Sequence, residues 1–131
     1  MSRRMMVLAA ALIAIAGLGW IGTWVQADAS KHSSTVMRAK LEQAQAILEG
    51  LSMEEFKLIE DNAKKLSAVT EFEEWIHAKD KDYQHQLHVF RTANEEIFRQ
   101  ATEKNLDGAT LAYMQMTLSC VQCHKAMRAK K

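Results

Sequence analysis

From Thr23 onward the chain contains no proline, and its only glycines are Gly50 and Gly108. These two residue types are the strongest breakers of regular local structure. A chain so poor in them folds as long helices joined by few turns. Apolar residues recur at helical spacing between the breakers, and no alternating strand pattern competes with them. A first helix is predicted over about Thr35–Glu49, with Val36, Leu41, Ala44, Leu48 and Leu51 as its apolar stripe and Met37 beside it. Gly50 is expected to end it as the C′ residue. Ser52-Met53-Glu54-Glu55 has the form of a capping box, which starts a second helix carrying Phe56, Ile59, Ala63 and Leu66 on one face.

Ser67–Asp82 mixes Val69, Phe72, Trp75 and Ile76 with many charges, so a longer, partly helical crossing loop is predicted there. A third helix is expected from about Tyr83 to Lys104, with Tyr83, Leu87, Phe90, Asn94, Ile97 and Ala101 facing inward. Asn105-Leu106-Asp107-Gly108 is a turn with Asp107 as the expected N-cap. The fourth helix then runs from Ala109 to about Arg128. Four amphipathic helices with two short connections define an all-α protein, an antiparallel four-helix bundle.

The first residues belong to a different pattern. Arg3-Arg4 precede a run without charge from Met5 to Val25, and Ala27-Asp28-Ala29 follows. A positive start, an apolar stretch and small residues at a cleavage point make an export signal. Cleavage after Ala29 is expected, leaving residues 30–131 as one small domain. The alternative is an uncleaved anchor, because residues 5–25 reach the ~20 residues that span a bilayer. Trp20 and Trp24 suit its interfacial end. In both cases residues 30–131 lie outside the cytoplasm, which for this signal means the periplasm. Arg3-Arg4 reads as the charged start of the signal and not as a twin-arginine address.

The whole chain has 17 basic and 16 acidic residues. Taking away Arg3, Arg4 and Asp28 leaves the rest balanced, so no basic field points to nucleic acid. Lys125, Arg128, Lys130 and Lys131 make the C-terminus basic. That suits the negative end of a helix dipole or the docking rim of an acidic redox partner. Glu54, Glu55, Glu73, Glu74, Glu95 and Glu96 read as solvated helix faces. No catalytic triad, phosphate loop or cluster of carboxylates facing a plausible cavity appears, so an enzyme is not expected.

The chemistry concentrates in Cys120-Val121-Gln122-Cys123-His124, the only cysteines of the chain. On a helix, positions i, i+3 and i+4 share a face. Two thiols there can add to the two vinyl groups of one porphyrin while the imidazole ligates its iron, and C-x-x-C-H is the attachment signature of c-type haem. The cofactor expected is one haem c. Two alternatives stay open: a disulfide or thiol pair, and a metal site. Four-thiolate zinc is excluded by the cysteine count, and His32, His77, His85 and His88 are remote in sequence. On the same helix Tyr113, Met116 and Thr117 precede Cys120 by one or two turns. Met127 and Arg128 follow His124 by one. These are candidate haem-wall residues, with Arg128 suited to a propionate.

A C-terminal C-x-x-C-H on the last helix of a small exported bundle is similar to cytochrome c′ and its low-spin relatives, the class II c-type cytochromes. That family commonly reads C-x-x-C-H-x-x-aromatic-Arg; this chain reads Cys120-Val-Gln-Cys123-His124-Lys-Ala-Met127-Arg128, with Met127 in place of the aromatic. In the family the first helix covers the distal face. The resemblance puts Leu41 at the ligand position, with Met37 one turn earlier. It implies either a six-coordinate electron carrier with His124 and Met37 on the iron, or a five-coordinate site capped by Leu41 and open to nitric oxide or carbon monoxide. Ligation through His85 or His88 is a third arrangement, with surface histidines the plainer expectation. Family members often dimerise through the first two helices, so a homodimer is among the states implied. Electron transfer to a partner protein is the function expected first, gas binding second, and a haemless bundle with a disulfide third.

Overall fold

The computed structural model describes residues 35–76 and 79–129. The export signal or tether, with Trp20, Trp24 and the proposed cleavage point, lies outside them, as do His32 and His77. Among the described residues there are four helices and no strand, and the architecture is the four-helix bundle expected. Helix α1 covers residues 35–53. It is followed by α2 (Phe56–Ile76), α3 (Lys81–Thr102) and α4 (Leu106–Ala129). The segment predicted as a crossing loop is therefore mostly helix: α2 continues through Trp75, and the α2–α3 connection is short. Among the described residues no helix is long and apolar enough to cross a membrane.

The helix ends differ from the expected ones, and backbone geometry gives the reason. Gly50 does not terminate α1. It is buried inside the helix, where a Cβ would come 2.8 Å from Ile59 Cγ1 and 3.2 Å from the Ile59 nitrogen. Its missing side chain lets α1 and α2 approach closely. The left-handed C′ position falls instead on Glu54, with φ 58°. The Glu55 amide donates to the Gly50 carbonyl at 2.8 Å and the Glu54 amide to the Leu51 carbonyl at 3.4 Å, which is the Schellman pattern. Ser52 is not a cap; its hydroxyl donates back to the Leu48 carbonyl at 2.8 Å.

The α3–α4 turn repeats this motif. Lys104 takes the left-handed position, with φ 54°. Its amide donates to Ala101 at 3.0 Å and that of Asn105 to Gln100 at 2.9 Å. Asn105, not Asp107, caps α4: its Oδ1 accepts from the Gly108 amide at 3.1 Å. Asp107 sits in the first turn, where its charge suits the helix dipole. Helix α3 starts at Asp80, whose Oδ1 accepts from the amides of Asp82 and Tyr83 at 3.1 and 3.0 Å.

All four helices feed one core. Ile47 and Leu51 come from α1, Ile59 and Leu66 from α2, Ile97 from α3 and Met116 from α4. Alanines at 63, 93, 101, 109 and 112 fill the gaps between them, and small side chains allow helix axes to draw close. Helix α3 packs on both α2 and α4. Its inner face is the one predicted, through Leu87, Phe90, Asn94, Ile97 and Ala101. Asn94 adds direction to the apolar contact. Its Nδ2 donates to the Ala63 carbonyl and the Ser67 hydroxyl, both at 2.9 Å, and a buried polar bridge of this kind favours one register over its neighbours.

On α1 the buried line is rotated from the predicted stripe. Ile47 is fully buried, while Leu41 and Leu48 are exposed. Lys40, Ala44, Ile47 and Leu51 form the inner line, at spacings of four, three and four.

Candidate functional site

The α1–α2 and α3–α4 turns close one end of the bundle, and the α2–α3 connection closes the other. Cys120 follows Asn105 by about four turns of α4, so the C-x-x-C-H segment lies toward the α2–α3 end. Both cysteines are free thiols and half-buried, and Cys120 packs against the core cluster. His124 is exposed. Burial pushes both thiols above the usual cysteine range, outweighing the opposing pull of Lys40. Reactive, easily oxidised cysteines have the reverse setting, exposed and held in a net positive field. Among the described residues no three His, Cys, Asp or Glu side chains are gathered to hold a metal ion.

A buried polar cluster shares this end of the bundle, and the sequence reading missed it. Glu73 of α2, expected on a solvated face, is only 2% exposed. It lies on the face that carries Ile59, Ala63, Leu66 and Thr70, so helical period overrode the ordinary preference of a carboxylate for water. Lys40 of α1 forms an ion pair with it, and the Tyr83 hydroxyl of α3 donates to it. The Lys40 ammonium also lies 4.5 Å from the centroid of the Phe90 ring, within cation–π range. The Tyr83 hydroxyl is pushed far above its ordinary value, first by desolvation and then by Glu73. Lys40 and Glu73 both act electrostatically on Cys120 and Cys123, which places the cluster beside the thiols.

Outside the cluster, α2 and α3 are clamped at the same end. Gln84 Nε2 donates to the Glu74 carbonyl at 3.0 Å, and Arg91 pairs with the Glu74 carboxylate at 3.2 Å.

The other expected site residues divide into inner and outer sets. Met116 is fully buried one turn before Cys120, and Tyr113 is half-buried. Burial raises the Tyr113 hydroxyl. Thr117 is exposed and bonded back to the Tyr113 carbonyl at 3.0 Å. Met127 is half-buried and Arg128 exposed. On α1, Met37 is half-buried, two turns before Ala44 on the same face. Leu41 does not cover the inner face: it is 58% exposed, and the inward position next to it belongs to Lys40. His85 and His88 are both exposed, as plain surface histidines would be.

The donor set fits covalent haem: two free thiols and an imidazole at i, i+3 and i+4 of one helix, with a buried thioether, Met116, one turn before them. Lys40 was legible only as a lysine on the line of Ala44, Ile47 and Leu51; Glu73 only as the continuation of Leu66 and Thr70. Comparison with protein-family models, with curated proteins and with solved structures finds no match.

Proposed function

We propose that this chain is an exported c-type cytochrome of the class II kind, which carries single electrons on one covalent haem. The observation that carries the proposal is Cys120-Val-Gln-Cys123-His124 on the last helix of a four-helix bundle, with both thiols free and half-buried. When bound, haem supplies a one-electron iron couple. Cys120 and Cys123 would form the thioether links and His124 the axial bond. Met116 and Tyr113 would exclude water from the macrocycle, and Met127 would pack its edge. Arg128 would neutralise a propionate.

Met37 is the proposed sixth ligand, supported by its half-buried place on the inner side of α1; Met/His ligation raises the potential. No substrate is transformed, and the physiological counterpart is a redox protein of the periplasm. There the chain is either released or tethered through residues 5–25.

The test is an absorption spectrum of the ferrous protein made in cells with c-type maturation machinery. Sharp, resolved α and β bands that Met37→Ala abolishes would support an electron carrier with Met37 on the iron. Broad high-spin bands that shift with carbon monoxide would replace this reading with gas binding at an open iron. A protein with no Soret band would overturn the haem assignment and leave a haemless bundle.

A further inference from the structure

The outer face of α4 belongs to an uncharged run longer than any in α2 or α3. From Gly108 to Cys123 the helix has no Asp, Glu, Lys, Arg or His. By contrast, α2 exposes Lys57, Lys64, Lys65 and Glu71, and α3 exposes Lys81, Asp82, Glu95 and Arg99. Leu111, Met114, Leu118 and Val121 of α4 are each between 56% and 64% exposed. Their spacings of three, four and three place them on one line, on the side of the helix away from buried Met116. Contiguous exposed apolar residues of this kind mark an interaction surface. The heptad-like spacing is that of a helix–helix seam.

The ends of the line identify what covers it. Asp107 lies four residues before Leu111 and Lys125 four residues after Val121, both exposed and both on the same line. The sequence of this face is therefore symmetric about Met116: acid, two apolar residues, two apolar residues, base. We propose that α4 is the seam of an antiparallel homodimer, in which a two-fold axis at the level of Met116 sets Leu111 against Val121, Met114 against Leu118 and Asp107 against Lys125 of the second copy.

The flanking positions obey the same symmetry without charge, Thr110 meeting Gln122 and Gln115 meeting Thr117. Parallel pairing would oppose like charges at both ends. An anionic lipid surface would favour bases at both ends, and nothing about an unrelated protein would require the two ends to mirror each other. The line from Asp107 to Lys125 is ~27 Å long. With four apolar side chains per copy it lies at the small end of specific interfaces, so a reversible dimer is expected. The inference uses only the outer face of α4 and does not depend on haem.

The experiment is sedimentation equilibrium of the matured protein, as purified from the expressing cells, over a wide concentration range. Four chains are compared: the unaltered protein, Leu118→Glu, Asp107→Lys, and Asp107→Lys with Lys125→Asp. The expected result is a monomer–dimer equilibrium that Leu118→Glu abolishes, that Asp107→Lys weakens about tenfold, and that the double exchange restores to within about twofold. Helix content by circular dichroism checks that each variant is folded. An unaltered protein that stays monomeric at the highest concentration would overturn the proposal. So would association indifferent to Leu118→Glu, or a double exchange no tighter than Asp107→Lys. The absorption spectrum of the same samples reports separately on haem, so failure of one proposal is distinguishable from failure of the other.

Discussion

Lys40 and Glu73 form an ion pair inside the bundle, joining α1 to α2 with the Tyr83 hydroxyl as a third member. Both charges are largely withdrawn from water, so each needs the other. Removing one partner of a buried pair leaves an uncompensated charge, and such changes cost about 3–5 kcal/mol. Glu73→Gln or Lys40→Met alone should each lower stability by about that amount. The double change, Lys40→Met with Glu73→Gln, should recover most of the loss. Urea unfolding at neutral pH followed by circular dichroism measures all three, and single variants as stable as the unaltered chain would show that the pair is solvated.

The Tyr83 hydroxyl gives the fold a dependence on alkaline pH. Its folded value is raised above the unfolded one, near 10, by desolvation first and Glu73 second. The stability tied to the protonated form is fully present below about pH 10 and is lost as pH rises toward the folded value, because the unfolded state gives up its proton first. Spectrophotometric titration should find one tyrosine that ionises only as the bundle unfolds. Tyr83→Phe should remove that component of the alkaline slope.

Glu54 and Lys104 hold left-handed backbone angles that a Cβ disfavours by roughly 1–2 kcal/mol. Glu54→Gly and Lys104→Gly should each stabilise the chain, by about 1 kcal/mol once the extra freedom of glycine in the unfolded state is subtracted. For a domain of this size that raises the midpoint of thermal unfolding by about 4–8 °C. The two sites share no partners, so their effects should add.

Gly50 should behave in the opposite way. A methyl group there meets the Ile59 side chain at 2.8 Å and its backbone nitrogen at 3.2 Å. Gly50→Ala gains helix propensity but must push α1 away from α2, a net loss of about 1–3 kcal/mol. In an Ile59→Ala background, which lacks the Cγ1 that the methyl meets, the further cost of Gly50→Ala should be smaller. Denaturant midpoints of the single and double variants measure the coupling.

Helix α3 was legible because one unbroken period runs from Leu87 to Ala101 with polar residues on the other side. Helix α1 was not, because two overlapping heptads compete in it. Leu41 and Leu48 make the more apolar one, yet the structure buries the line of Lys40, Ala44, Ile47 and Leu51. A lysine on an inward position looks like an error until its partner Glu73, on another helix, is known. The same reason hid Glu73 among the solvated carboxylates. Helix ends were misplaced because Gly50 and Ser52 look like punctuation, whereas close packing on Ile59 fixed the first and the second bonds back into its own helix. The C-x-x-C-H segment could be read directly because its residues are neighbours in sequence. The polar cluster beside it draws on three helices and has no signature in any one of them.

The two short turns lie together at one end of the bundle. Glu54-Glu55 and Lys104-Asn105 each reverse the chain through the same Schellman hydrogen bonds, and both lie at the end remote from the thiols. At the thiol end the α2–α3 connection is joined by side chains: Lys40 of α1 and Tyr83 of α3 both close on Glu73 of α2, and Gln84 and Arg91 hold Glu74. Three helices thus converge on a single carboxylate, so whatever changes the charge of Glu73 acts on α1, α2 and α3 together.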